Sequence, residues 1–184
     1  MKKFSTLMIA FLLVFSLLCG AAAEGEGVVF TTKYFTLNLP ENWKIETEDL
    51  EQNVENAELL GYLYGPAETD IAVNVSISTH NNQEAVAPYA GEQGVEAYKE
   101  LILKYFEKFS PEYLETVLVG DLPFILVKYT DEEGETILDV NAVVGGEEVE
   151  FMVYRADETE TYSVTDEDIE LFKTVLQSFR PVTE

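Results

Sequence analysis

The chain has 184 residues, 35 of them acidic against 11 basic, for a formal net charge of −24, and 47% of it is hydrophobic. That charge argues strongly against nucleic acid as a partner, because phosphate backbones are held by Lys/Arg surfaces, and it opposes docking on anionic lipid headgroups. The apolar fraction excludes general disorder, which leaves a folded domain with an acidic surface.

Residues 1–23 read as a signal peptide. Lys2 and Lys3 form a basic start, residues 7–18 an apolar run broken only by Ser16, and Ala21 and Ala23 an A-x-A cleavage site. The run is shorter than the ~20 residues a spanning helix needs. The mature chain is therefore expected to begin at Glu24, exported across the cytoplasmic membrane to the envelope or the medium, with no membrane insertion after cleavage. A lipid anchor at Cys19 is the second reading. Against it, Leu18 and Ser16 stand where such a signal carries a small residue and a leucine. Cleavage removes two lysines and the only cysteine, so residues 24–184 are more acidic still. They have the length of one domain and neither a disulfide nor a thiol nucleophile.

From Val28 the chain suits a strand pair with a bend at Thr32 and Lys33. In its second member Phe35, Leu37 and Leu39 alternate with Thr36 and Asn38. Pro40, lacking an N–H, stops the ladder; Glu41 and Asn42 suit a turn; Trp43, the only tryptophan, folds back as an apolar plug. Residues 47–58 read as a polar loop and 59–64 as a strand, with a turn from Gly65 and Pro66 to Asp70. Residues 71–79 are the clearest strand. Ile71, Val73, Val75 and Ile77 commit one face to the core, and Ala72, Asn74, Ser76 and Ser78 form a wetter face that His80 continues.

A polar loop leads to a helix over residues 92–109. Val95, Tyr98, Leu101, Ile102, Tyr105, Phe106 and Phe109 make its apolar stripe, and Ser110-Pro111 ends it. Strands at 113–119, 123–130, 135–144 and 147–156 follow as an antiparallel meander. Gly145-Gly146 supplies the positive φ of a tight hairpin. After the acidic loop 157–163 comes a closing helix with Thr165 as N-cap and Asp166, Glu167 and Asp168 in its first turn. Ile169, Phe172, Val175, Leu176 and Phe179 form its buried stripe, and Pro181 ends it.

Two details of this order resemble the PsbP-like superfamily. One is the opening strand that ends in Leu39, Pro40 and Trp43; the other is the closing helix with Phe172, Leu176, Ser178 and Phe179. The resemblance covers nearly all of residues 24–184 and rests on structural motifs. It implies an α+β fold, a single antiparallel β-sheet flanked by helices in an α/β/α sandwich. The superfamily includes an extrinsic photosystem II protein, a Ran-binding import factor and short bacterial exported proteins. Its members share no common active site, so it implies no activity and no cofactor.

Catalytic residue types are scarce. His80 is the only histidine and its plain explanation is an exposed strand end. With no cysteine in the mature chain and one histidine, zinc sites and Cys–His dyads are nearly excluded, and no G-x-S-x-G elbow supports a serine triad. The acidic clusters 131–133, 157–160 and 166–168 lack EF-hand spacing and read as a turn, a loop and a helix N-terminus rather than calcium ligands. The expected function is non-catalytic: binding a protein or small-molecule ligand outside the cytoplasm, or supporting an envelope assembly. The alternative is a hydrolase using carboxylates or a lone Ser/His pair. The candidate ligand-binding residues are Tyr62, Tyr64, Asn74, Ser76, Ser78 and His80, aromatic rings beside small polar groups.

Overall fold

A computed structural model describes residues 27–48, 50, 57–78, 91–156 and 161–182. The expected signal peptide, Cys19 and His80 lie outside the described residues. At the Pro40 turn the Trp43 N–H donates to the Pro40 carbonyl at 3.4 Å, and Asn42 takes a φ of 74°. Asparagine tolerates that left-handed conformation better than most residues.

The opening strands β1 (Val28–Thr31) and β2 (Phe35–Leu39) pair antiparallel across a bend in which Thr32 Oγ1 accepts from the Tyr34 and Phe35 N–H groups. Then come β3 (Lys44–Glu46), β4 (Ala57–Tyr64), β5 (Ile71–Ser78) and helix α1 (Gly91–Tyr105), with a 3-10 turn at Glu107–Phe109. The meander is β6 (Glu112–Val119), β7 (Leu122–Thr130), β8 (Thr136–Val144) and β9 (Glu147–Ala156). The chain closes with β10 (Thr161–Tyr162), α2 (Asp166–Leu176) and β11 (Arg180–Pro181).

The described strands form two antiparallel sheets, where a single sheet was expected. The large one is ordered β3-β4-β5-β9-β8-β7-β6, with β10 on β9; the small one is β1-β2-β11. The reason lies in β2. Its two edges are occupied by β1 and by β11, so no edge remains to join the larger sheet. Pro181, expected to end the closing helix, instead pairs with Phe35; the helix has already stopped at Leu176.

The main core lies between the two sheets and α2. Phe35 stacks on Phe179 at 4.7 Å, Phe179 meets Phe124 edge-on at 5.0 Å, and Phe151 packs against Phe172 at 5.6 Å. Each such phenylalanine contributes about 1.5–3 kcal/mol by leaving water. The start of α2 is a capping box. Thr165 Oγ1 accepts from the Asp168 N–H at 3.2 Å while the Asp168 carboxylate accepts from the Thr165 N–H at 2.8 Å.

The other face of the large sheet carries α1. Its buried row is Tyr98, Ile102 and Phe106, packed on Ile125, Val127, Tyr129 and Ile137. Leu101 and Tyr105, assigned to the apolar stripe from spacing, are 46% and 76% exposed. The buried stripe is one i, i+4 row because α1 meets the sheet along one side only, through Tyr98, Ile102 and Phe106. The coarse expectation of an α+β sheet with a helix on each face therefore holds.

Candidate binding face

Antiparallel register sets out the face opposite the main core, because directly paired residues point the same way. One row runs Glu46, Tyr62, Asn74, Met152, Asp139 across β3, β4, β5, β9 and β8. The next runs Lys44, Tyr64, Ala72, Tyr154. A third holds Ser76, Glu150 and Asn141.

Three of the six sequence-predicted residues come together here. The Tyr62 and Tyr64 rings lie 6.3 Å apart, and Asn74 sits opposite Tyr62, all three half-buried. The structure adds Tyr154, whose hydroxyl donates to Asn74 Oδ1 at 2.8 Å. Its phenol is pushed up to about 12, chiefly by burial and then by the neighbouring Tyr64 and Tyr62 phenols. Burial, followed by the charge and hydrogen bonding of Glu46, raises Tyr64 as well. These rings stay neutral, each with an apolar face and a hydroxyl able to donate or accept.

The remaining three differ. Ser76 belongs to this face but is buried, its hydroxyl donating to Glu150 Oε2 at 2.8 Å. Ser78 pairs with Ala57 through β5, while its side chain and all of His80 lie outside the described residues. Tyr154 and Glu150 escaped the sequence reading, although the alternation of Glu148, Glu150, Met152 and Tyr154 with Val149, Phe151 and Val153 places them on this face.

Nearer α1 the same face becomes buried and acidic. Asp139 is fully buried, and the Tyr98 hydroxyl of α1 donates to Glu148 Oε1 at 2.6 Å. Among the described residues no three His, Cys, Asp or Glu side chains converge to hold a metal ion. No described helix is long and apolar enough to cross a membrane.

A broad antiparallel sheet with a helix on each face and a small three-stranded sheet over its core is a PsbP-like architecture. The chain is similar to the solution structure of cyanobacterial PsbP (CyanoP) from Synechocystis sp. PCC 6803, with a TM-score of 0.53 and 14% identity over 89% of this chain and 97% of that one. This likeness shows the fold. No family model and no curated protein matches the chain.

Proposed function

We propose that this chain is an exported, non-catalytic binding domain, with its ligand or partner seated on the face built by Tyr62, Tyr64, Asn74 and Tyr154. One observation carries the reading. The half-buried Tyr62 and Tyr64 rings lie 6.3 Å apart beside Asn74, whose Oδ1 accepts from the Tyr154 hydroxyl at 2.8 Å. Apolar ring faces supply contact area and the fixed polar groups supply orientation, the usual division of labour in a binding site. Ser76, on the same face and bonded to Glu150, borders it, and in sequence Ser78 and His80 follow.

Carboxylate hydrolysis is the weaker reading, since Asp139, whose burial holds its carboxyl well above the usual carboxylate range, is sealed from any substrate. Thermal-shift screening with sugars, short peptides and calcium, beside a pull-down from envelope extract, tests the proposal. A ligand of this face loses its shift in Tyr62→Ala and Asn74→Ala. A shift that survives both substitutions refutes the assignment. Turnover of an ester, glycoside or phosphate that one carboxylate change abolishes refutes the non-catalytic reading.

A further inference from the structure

Beneath α1, Asp139 of β8 lies diagonally across the ladder from Glu150 of β9, and Glu148 stands two residues further along β9 on the same face. Asp139 has no exposed surface. One of its oxygens accepts from the Asn141 amide, and the other, Oδ2, has no hydrogen-bond partner. Each packed element contributes to this seam. Helix α1 brings Tyr98, bonded to Glu148; β7 brings Val127, directly opposite Asp139, and Tyr129; β5 brings Ser76, bonded to Glu150. The charges acting most strongly on Asp139, those of Glu150 and Glu148, are both negative. Lys99 of α1 is engaged elsewhere, ion-paired to Glu96 and lying over the Tyr113 ring.

Two neighbouring carboxylates both accept and neither donates, so an ionised Asp139 leaves Oδ2 orphaned beside a like charge. A proton on Oδ2 turns the orphan into a donor, and Glu150 is the acceptor within reach. Burial first, and the Glu150 charge second, push Asp139 in the same direction, well above the usual carboxylate range.

We propose that Asp139 carries a proton donated to Glu150, and that this proton is a latch seating α1 on the sheet. The strands β8 and β9 are held by ladders on both sides, whereas α1 touches the sheet through side chains alone. Of the elements around the seam, the helix is therefore the one that can lift to admit water. In the lifted state Asp139 titrates as an ordinary carboxyl near ~3.9. Above that pH the open state releases the proton and the closed state keeps it, so opening becomes easier by up to about tenfold per pH unit. The trend levels off once the buried group itself ionises. The latch is tightest in mild acid. This inference is independent of the ligand face.

Two measurements on the purified protein test it. Infrared spectroscopy at neutral pH should show a protonated-carboxyl stretch that Asp139→Asn removes. Hydrogen exchange, corrected for its intrinsic pH dependence, should show the α1 amides losing protection as pH rises from about 5 to about 8, more steeply than those of β2 and α2. In Asp139→Asn, which accepts from Asn141 and donates to Glu150 at every pH, α1 protection should stay flat. Asp139→Thr, also neutral throughout, gives the same comparison if the asparagine variant folds poorly. Absence of the carboxyl band, or its persistence in the variant, overturns the proton. Equal pH slopes in α1, β2 and α2, or an unchanged slope in the variant, overturn the latch.

Discussion

Truncating Trp43 to alanine should cost about 3 kcal/mol, and the companion variant Trp43→Phe should cost less than half of that. The indole is 3% exposed and belongs to the core shared by both sheets, just past the turn where the chain leaves β2 for β3. A buried tryptophan cut back to alanine loses ~3–5 kcal/mol through lost transfer energy and the cavity left behind. Its Nε1 is buried with no partner, a liability of ~1–3 kcal/mol that the native protein carries and both variants shed. The alanine cost therefore falls at the lower end. Phenylalanine keeps most of the ring, gives up burial worth roughly two CH₂ groups, ~1.6 kcal/mol, and regains part of it by removing the orphaned N–H. Urea unfolding followed by far-UV circular dichroism is the suitable assay, because the tryptophan fluorescence signal is lost with the only tryptophan. An unchanged m-value would show that a midpoint shift reports stability. A loss below ~1 kcal/mol for alanine, or equal losses for both variants, refutes the reasoning.

Thr165→Ala should destabilise by about 1 kcal/mol in the same assay through loss of the reciprocal cap on α2, and Thr165→Ser should restore most of it. A ligand of the tyrosine face, well above its Kd, should add about 2–4 kcal/mol to the wild type and nothing to Tyr62→Ala or Asn74→Ala. Wild-type stability relative to Asp139→Asn should fall as pH rises. The native state keeps a proton that the unfolded state releases above ~3.9, so the slope is at most ~1.4 kcal/mol per pH unit and vanishes once the buried carboxyl ionises. A relative stability that rises with pH would contradict the sign. Mass spectrometry of exported protein should find Glu24 at the N-terminus; a lipid-modified Cys19 there would replace the soluble form with an anchored one.

Most of the fold was legible because its long elements announce themselves by period. In β5 the residues Ile71, Val73, Val75 and Ile77 are all buried in the main core as their alternation requires. The Thr165 cap and the Gly145-Gly146 hairpin follow from local chemistry and stand where expected. Short strands are another matter. Lys44–Glu46 and Arg180–Pro181 span three and two residues, too few for any period to show. Those two pieces decide the topology: β3 extends the large sheet, and β11 completes the small one. The division into two sheets thus hangs on the segments with the weakest sequence signal.

The site was legible in direction and illegible in depth. Alternation in a strand tells which face a side chain takes, and a polar residue on the face away from the core is then read as wet. For Tyr62, Tyr64 and Asn74 the inference holds as far as half-burial. Ser76 and Asp139 occupy the same face by the same rule, yet they are 8% and 0% exposed. For Asp139 the difference comes from α1, which lies over β7 and β8 and reaches β9 with Tyr98, and spacing within β8 carries no trace of it. What marks these residues instead is partnership. A polar side chain under a helix must find a donor or acceptor nearby. Asp139 finds Asn141 two residues on, Ser76 finds Glu150 directly across the ladder, and Glu148 finds Tyr98. Where that supply runs out, at Asp139 Oδ2, a proton is the smallest partner that completes it. Partnership across three strands and a helix appears only after folding, so the seam stayed hidden from a reading made one segment at a time.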